Sequence, residues 1–263
     1  MKDYSFIEKS LKEIEDIDIE YFPQIESTNL YLSEKKLTHK YHLCFTDVQT
    51  SGKGRRGSRW VSSGRDNIYA TLASKVSISL EKLPIVSLLI AISVVKTIES
   101  VINEDLRKFL KVKLPNDIYF KDKKIAGILI ETKNITRNSF DIIIGVGINV
   151  NIDSLEEEID RDWTSVFLIN NKEVNSSKLL VELISNLMNS LNQEINILEI
   201  IKSFEKYDYT FGKLISFNDG EDVYKGISKG INKDMQLILE MSRGTLMVDI
   251  AKINKLKVLD ESN

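Results

Sequence analysis

Hydrophobic and polar positions change their period several times along the chain, and each change marks an element. In "NIYATLASKVSI" the apolar residues Ile68, Ala70, Leu72 and Val76 share one side, the period-two pattern of a strand with one buried face. "YHLCFTDVQT" alternates similarly and delivers the chain to a glycine-rich loop, so that loop joins two strands of one sheet. "FDIIIGVGINVN" is apolar on both faces, as a central strand must be, and Gly145 and Gly147 leave its backbone open to close approach. The run from Leu83 to Ile102 is interrupted by Pro84, Lys96 and Glu99, which predicts a buried core helix and not a membrane span. "VKLPNDIYF" and "IAGILIET", separated by the polar turn "KDKK", read as two strands of a hairpin. The stretch from Ser176 to Tyr207 keeps helical spacing and predicts two helices broken near Asn192. Residues 1 to about 20 read as a short acidic helix, and "IESTNLYLSEKK" as a loop in which Ser27 or Thr28 caps a second helix. From Phe211 the texture changes to short strands separated by turns such as Asn218-Asp219-Gly220. The pattern therefore predicts an α+β fold: a mixed β-sheet domain packed with helices over residues 1–206 and a small β-barrel over residues 207–263.

Composition narrows the function classes. The chain has 263 residues with 36 Lys+Arg against 39 Asp+Glu, a formal net charge of -3, which argues against a dedicated nucleic-acid binder and makes any basic patch a local feature. A single cysteine, Cys44, excludes an intrachain disulfide framework, and with only His39 and His42 beside it a conventional zinc site is not expected. The first 20 residues carry acids and bases without an apolar run, so no leader peptide is read there. A soluble, cytoplasmic protein is expected.

The loop "QTSGKGRRGSRW", Gln49 to Trp60, runs against the overall charge. It has glycine spacing close to a P-loop, but Ser58-Arg59 stands where Lys-Ser/Thr is required, and a strand follows where a helix is needed. Gly145-Val146-Gly147 fails as a dinucleotide fingerprint because it lies inside an apolar strand and Val150 replaces the third glycine. What remains is a loop with Lys53, Arg55, Arg56 and Arg59, followed by Arg65, and no acid between Val48 and Arg65. Such a cluster attracts polyphosphate, and its guanidinium groups can pair two oxygens at once. By itself it is equally an ordinary solvated basic loop.

Four segments in order, "ESTN" from Glu26, "QTSGKGRRGSRW" from Gln49, "KLPNDIYFKDKKIAGILIE" from Lys113 and "GVGINVN" from Gly145, closely resemble the motifs of biotin protein ligases. The tail "KGISKGINKDMQLILE" looks like that family's C-terminal small barrel. The resemblance implies a catalytic domain of the class II synthetase and biotin–lipoate ligase type, with an SH3-like β-barrel. It implies activation of biotin by ATP to biotinyl-5'-AMP, with pyrophosphate released, and transfer to a lysine of a biotin carboxyl carrier protein such as that of acetyl-CoA carboxylase. By matched position, Lys124 and Arg55 are the expected catalytic residues. Ser27, Thr28, Asn29, Gln49, Lys53, Gly54, Arg55 and Gly127 are expected to bind biotin, and Arg56, Lys124, Asn116 and Asn149 to bind the nucleotide. Asp117 is the candidate for Mg2+ held through phosphate. Two positions depart from the family pattern: Lys53 replaces the usual arginine and Leu114 the usual tryptophan before Pro115.

A lipoate or octanoate ligase is the alternative with the same general chemistry, and a bifunctional ligase and repressor is a second. About 25 acidic-rich residues before the first motif are too few for a DNA-reading domain, so no DNA partner and no membrane are expected. The oligomeric state, monomer or homodimer, stays open. Glycines and arginines together suit a lid that orders over a reactive mixed anhydride. Arg55→Gly or Arg56→Gly should therefore leave adenylation partly intact while releasing the adenylate. Mass spectrometry of bystander lysines is the check, and no added non-specific biotinylation would sink the idea.

Overall fold

The computed structural model describes residues 2–62, 66–154, 162–220 and 222–259, so Arg65 lies outside the described residues. Its larger unit is built on a seven-stranded sheet: β1 Ile17–Ile25, β2 Tyr41–Gln49, β3 Ile68–Val76, β4 Leu110–Lys113, β5 Asp117–Phe120, β6 Lys123–Lys133 and β7 Phe140–Ile148, in the order β1-β2-β3-β7-β6-β5-β4. β1 runs parallel to β2 and the other neighbours are antiparallel, so the sheet is mixed as expected. β7, apolar at both parities, is the middle strand. The helices are α1 Tyr4–Lys12, α2 Thr28–Glu34, α3 Leu83–Glu99, α4 Glu104–Arg107, α5 Val166–Asn170, α6 Ser176–Asn192 and α7 Ile197–Glu205.

The two faces of the sheet are covered differently. On one, Phe45, Leu72 and Ile144 share a fully buried cluster with Ile90 and Val94 of α3 and Leu183 of α6. Each such side chain contributes about 1.5–3 kcal/mol. α3 starts with a proline in its first turn, where the missing N–H costs nothing. α6 starts at Asn175, whose side chain accepts from the Lys178 N–H, and α7 restarts the chain on the cap Asn196. On the other face, among the described residues, the helix that packs against the sheet is α2, through Leu32 on Cys44, Ala73 and Ile143. The rest of that face is left for the site.

Strands β8 Leu214–Asp219, β9 Asp222–Ile231, β10 Gln236–Met241, β11 Gly244–Asp249 and β12 Asn254–Val258 form a second, antiparallel sheet in the order β11-β10-β9-β8-β12. The chain reaches it through Tyr207 to Tyr209, which still hydrogen-bond to Val112 of β4. Among the described residues no helix is long and apolar enough to cross a membrane.

Three expectations need correction. The first 20 residues are not one helix: α1 ends at Lys12, and Ile17, Ile19 and Tyr21 alternate with Asp18 and Glu20 as the edge strand β1, which tolerates Pro23 because it is an edge. "VKLPNDIYF" is not one strand but β4 and β5, folded back on each other across a turn with a cis Leu114–Pro115 peptide. The strand β12 was not anticipated, because its lysines hide the alternation.

The histidine pair is structural. His42, fully buried, accepts hydrogen bonds at Nε2 from the backbone N–H of Thr38 (2.8 Å) and His39 (3.0 Å), and its Nδ1 faces Asp18 Oδ2 at 3.1 Å. With Nε2 bare, the ring is neutral and donates from Nδ1. Lys35 Nζ, 2.7 Å from the same Asp18 oxygen, already supplies the cation of this cluster. Burial holds the His42 pKa below its usual value against the pull of Asp18, with Lys35 and His39 lowering it further. Because the folded state binds this proton less readily than the unfolded chain, stability falls as pH drops below about 6.5. In denaturant titrations between pH 7.5 and 5.5, His42→Gln should flatten that fall by up to about 1.4 kcal/mol per pH unit. Parallel curves for both proteins would refute it.

Candidate active site

Strand register lays out the site as rows of cross-strand partners on the face that α2 leaves open. One row runs Lys113, Asp117, Gly127, Gly147, Tyr69 across β4, β5, β6, β7 and β3. The next runs Leu129, Gly145, Thr71 across β6, β7 and β3. The paired glycines of the first row leave a flat backbone floor, onto which the Trp60 side chain is laid. A Cβ on Gly127 or Gly147 would stand 2.6 or 2.5 Å from that indole. Gly145 makes room for a protein group, since a Cβ there would lie 1.9 Å from Asn29 Oδ1.

Lys124 reaches this face through an irregularity. Ile118 pairs with Ala126 but Tyr119 with Lys124, so β6 has one extra residue, Ile125. Ile125 and Ala126 both join the core cluster, while Lys124 and Gly127 both face the site. Lys124 Nζ donates to Asp117 Oδ1 at 2.6 Å and lies 5.2 Å from the centre of the Trp60 ring. The backbone of Lys124 pairs with Asp162 and Thr164, which fixes its direction.

The glycine-rich loop is a short hairpin. Trp60 N–H donates to Gly52 O, Gly54 N–H to Ser58 O, and a single turn over Arg55–Gly57 reverses the chain with Arg56 in the left-handed region (φ 53°, ψ 38°). Arg56 Nη2 donates to Lys252 O at 3.4 Å, touching the approach to β12. Burial and the adjacent Arg56 lower the Arg55 pKa, with Asp117 pulling the other way.

At the other end of the cavity sits the start of α2. Thr28 donates to Gln49 Oε1 from its backbone N–H (2.9 Å) and its hydroxyl (3.1 Å). Ser27 Oγ accepts from Leu30 N–H at 3.4 Å, so it caps the helix as the alternation of loop and helix implied. Asn29 is engaged at both ends: Nδ2 donates to Glu131 Oε2 (2.9 Å), and Oδ1 accepts from the Thr71 hydroxyl (2.7 Å).

These parts line one cavity of about 530 Å³. Among its described lining residues, Lys53, Arg55, Arg56, Arg59, Lys113, Lys124, Lys255 and Lys257 face a single carboxylate, Asp117. An anionic ligand of nucleotide size is what such a cavity can hold.

A family model for the biotin/lipoate A/B protein ligase family matches residues 21–149. The bifunctional ligase/repressor BirA of Escherichia coli is 31% identical over 226 residues, spanning 83% of this chain and 68% of that protein. The chain belongs to the biotin protein ligase family. A biotin--[acetyl-CoA-carboxylase] ligase of Mycobacterium tuberculosis is 25% identical over 216 residues, 80% of this chain and 77% of that protein. The fold agrees: a biotin protein ligase from Aquifex aeolicus, solved with biotin and ATP, superposes with a TM-score of 0.76 at 22% identity over 92% of this chain and 99% of that one.

For this biotin protein ligase family member, the structure brings Ser27, Thr28, Asn29, Gln49, Lys53, Gly54, Arg55, Arg56, Asn116, Asp117, Lys124 and Gly127 to the cavity lining. Asn149 is not among the described lining residues: its Nδ2 donates to Thr164 O (3.0 Å) and its backbone ties β7 to Ile125. Asn116 lines the cavity but spends its amide on Ile128 O at 2.7 Å. Trp163 pairs by its backbone with Lys124 and lies outside the described lining. Sequence reasoning missed Trp60, although it ends the quoted loop motif, and missed Lys255 and Lys257, whose strand was not anticipated.

The indole on the glycine floor is testable. With Trp163→Phe as background, Gly147→Ala should push Trp60 off the floor, shifting its emission to the red and increasing acrylamide quenching. An unchanged spectrum would show that the indole does not rest there.

Proposed function

We infer that this protein activates biotin with ATP to biotinyl-5'-AMP, releasing pyrophosphate, and passes the biotinyl group to a lysine of a carrier protein. The observation that carries this reading is the placement of Lys124 in one cavity between a hydrogen-bonding end at α2 and a mouth of cationic side chains. The polar ring of biotin, which has donors and acceptors, belongs with Ser27, Thr28 and Gln49, and its carboxylate belongs beside Lys124. In the first step a carboxylate oxygen attacks the α-phosphorus of ATP and the bond to pyrophosphate breaks. Two anions must meet for this, and a shared ammonium in a water-poor site lowers their repulsion. In the second step the acceptor lysine, as free amine, attacks the biotinyl carbonyl; AMP leaves and the surplus proton passes to solvent.

Lys53, Arg55 and Arg56 close over the adenylate in this reading, and a lysine at position 53 keeps the positive charge while giving up the planar fork of an arginine. A magnesium ion carried on the triphosphate suits Asp117, the single carboxylate among the described lining residues, since magnesium binds through few carboxylates plus phosphate and water oxygens. It would supply charge neutralisation on the leaving pyrophosphate. The carrier is read as a biotin carboxyl carrier domain.

Pyrophosphate exchange into ATP, run side by side with biotin, lipoate and octanoate, tests the substrate. Exchange should depend on biotin alone and fall by about 100-fold or more in Lys124→Met. Exchange with lipoate and none with biotin would replace this function with that of a lipoate ligase.

A further inference from the structure

We propose that Glu131 and Lys133 of β6 are positioning residues for the ring of biotin, acting by clamping α2 at its two ends; this rests on the site reading given above. α2 has seven residues, too few to hold a helical shape alone, and its cap bond from Leu30 N–H to Ser27 Oγ is long at 3.4 Å. Its last turn contains no basic residue. The carbonyls left open at its C-terminal end are met from the sheet, where Lys133 Nζ donates to Leu32 O (3.1 Å), Ser33 O (2.8 Å) and Lys35 O (2.6 Å). These use all three protons of the ammonium. At the opposite end, Glu131 Oε2 accepts from Asn29 Nδ2 at 2.9 Å, next to Thr28 and Ser27.

The two clamps lie two residues apart on β6, so both point to the α2 side of the sheet. The same strand carries Lys124 and Gly127. One rigid strand therefore sets the distance between the groups that take the ring and the ammonium that meets the carboxylate. Loosening α2 shifts Thr28 relative to Gln49, which degrades ring binding while leaving the Lys124–Asp117 pair and the cationic mouth in place.

Pyrophosphate-exchange kinetics on Lys133→Met, Glu131→Met and Lys133→Arg test this. Lys133→Met and Glu131→Met, which removes the acceptor for Asn29 Nδ2, should each raise KM for biotin about tenfold, with KM for ATP and kcat changed by less than about twofold. Lys133→Arg, which keeps charge and donors, should return KM for biotin to within about threefold of the unsubstituted protein. An unchanged KM for biotin, or equal losses in every parameter, would overturn the clamp. If thermal melting shows Lys133→Met unfolded at the assay temperature, Glu131→Met, which changes little volume, decides alone. Absence of biotin-dependent exchange in the unsubstituted protein is a separate result, which overturns the function itself.

Discussion

One extra residue in β6 governs the site, because a strand places successive side chains on opposite faces and a bulge shifts that alternation by one. Without Ile125 as the extra residue, Lys124 would fall on the face packed by α3 and α6, where an unpaired ammonium costs several kcal/mol. With it, two consecutive apolar residues, Ile125 and Ala126, enter the core and Lys124 turns to the open face, 7% exposed and paired with Asp117. The pairing of β6 with β5 then matters twice: it places Asp117 opposite Gly127, and it brings Lys124, opposite Tyr119, within reach of that carboxylate. A single pair of neighbouring strands thus supplies a buried cation, the carboxylate paired with it and the bare backbone beside it.

The remainder of the cavity follows from how little covers that face. Among the described residues α2 is the helix that packs there, and its short length leaves the glycine row free for the Gly52–Trp60 hairpin, whose indole covers Gly127 and Gly147. Trp60 Nε1 is buried without a hydrogen-bond partner among the described residues. The cations arrive from three places: the hairpin, the β4–β6 region and β12. Their convergence explains how a chain of net charge -3 presents a strongly positive cavity.

Legibility in the sequence followed the kind of interaction involved. Periodicity read β2, β3, β7, α3 and the break between α6 and α7, since each buries a continuous apolar face. It missed β1, where Asp18 and Glu20 sit between the buried isoleucines and made the segment look like an extension of an acidic helix. It merged β4 with β5, because a two-strand reversal through Leu114 and Pro115 has no hydrophobic signature distinct from a longer strand. The motifs found most residues of the cavity but carried no sign of their bonds within the protein: Asn29 and Asn116 engage their amides with the protein, and Asn149 bonds to Thr164 and Val166.

What the sequence determined by itself was the family, the elements that bury a continuous apolar face and the identity of most cavity residues, because these rest on local chemistry and spacing. What only the tertiary structure decided was direction. Whether Lys124 faces the core or the cavity depends on the register between β5 and β6. Whether a glycine admits ligand or protein depends on what packs above it, Asn29 over Gly145 and Trp60 over Gly127 and Gly147. The same holds for the C-terminal lysines at positions 255 and 257, which belong to the cavity only because the second sheet folds back beside the glycine-rich loop. Register and packing are contacts between distant segments, and a one-dimensional pattern carries no term for them.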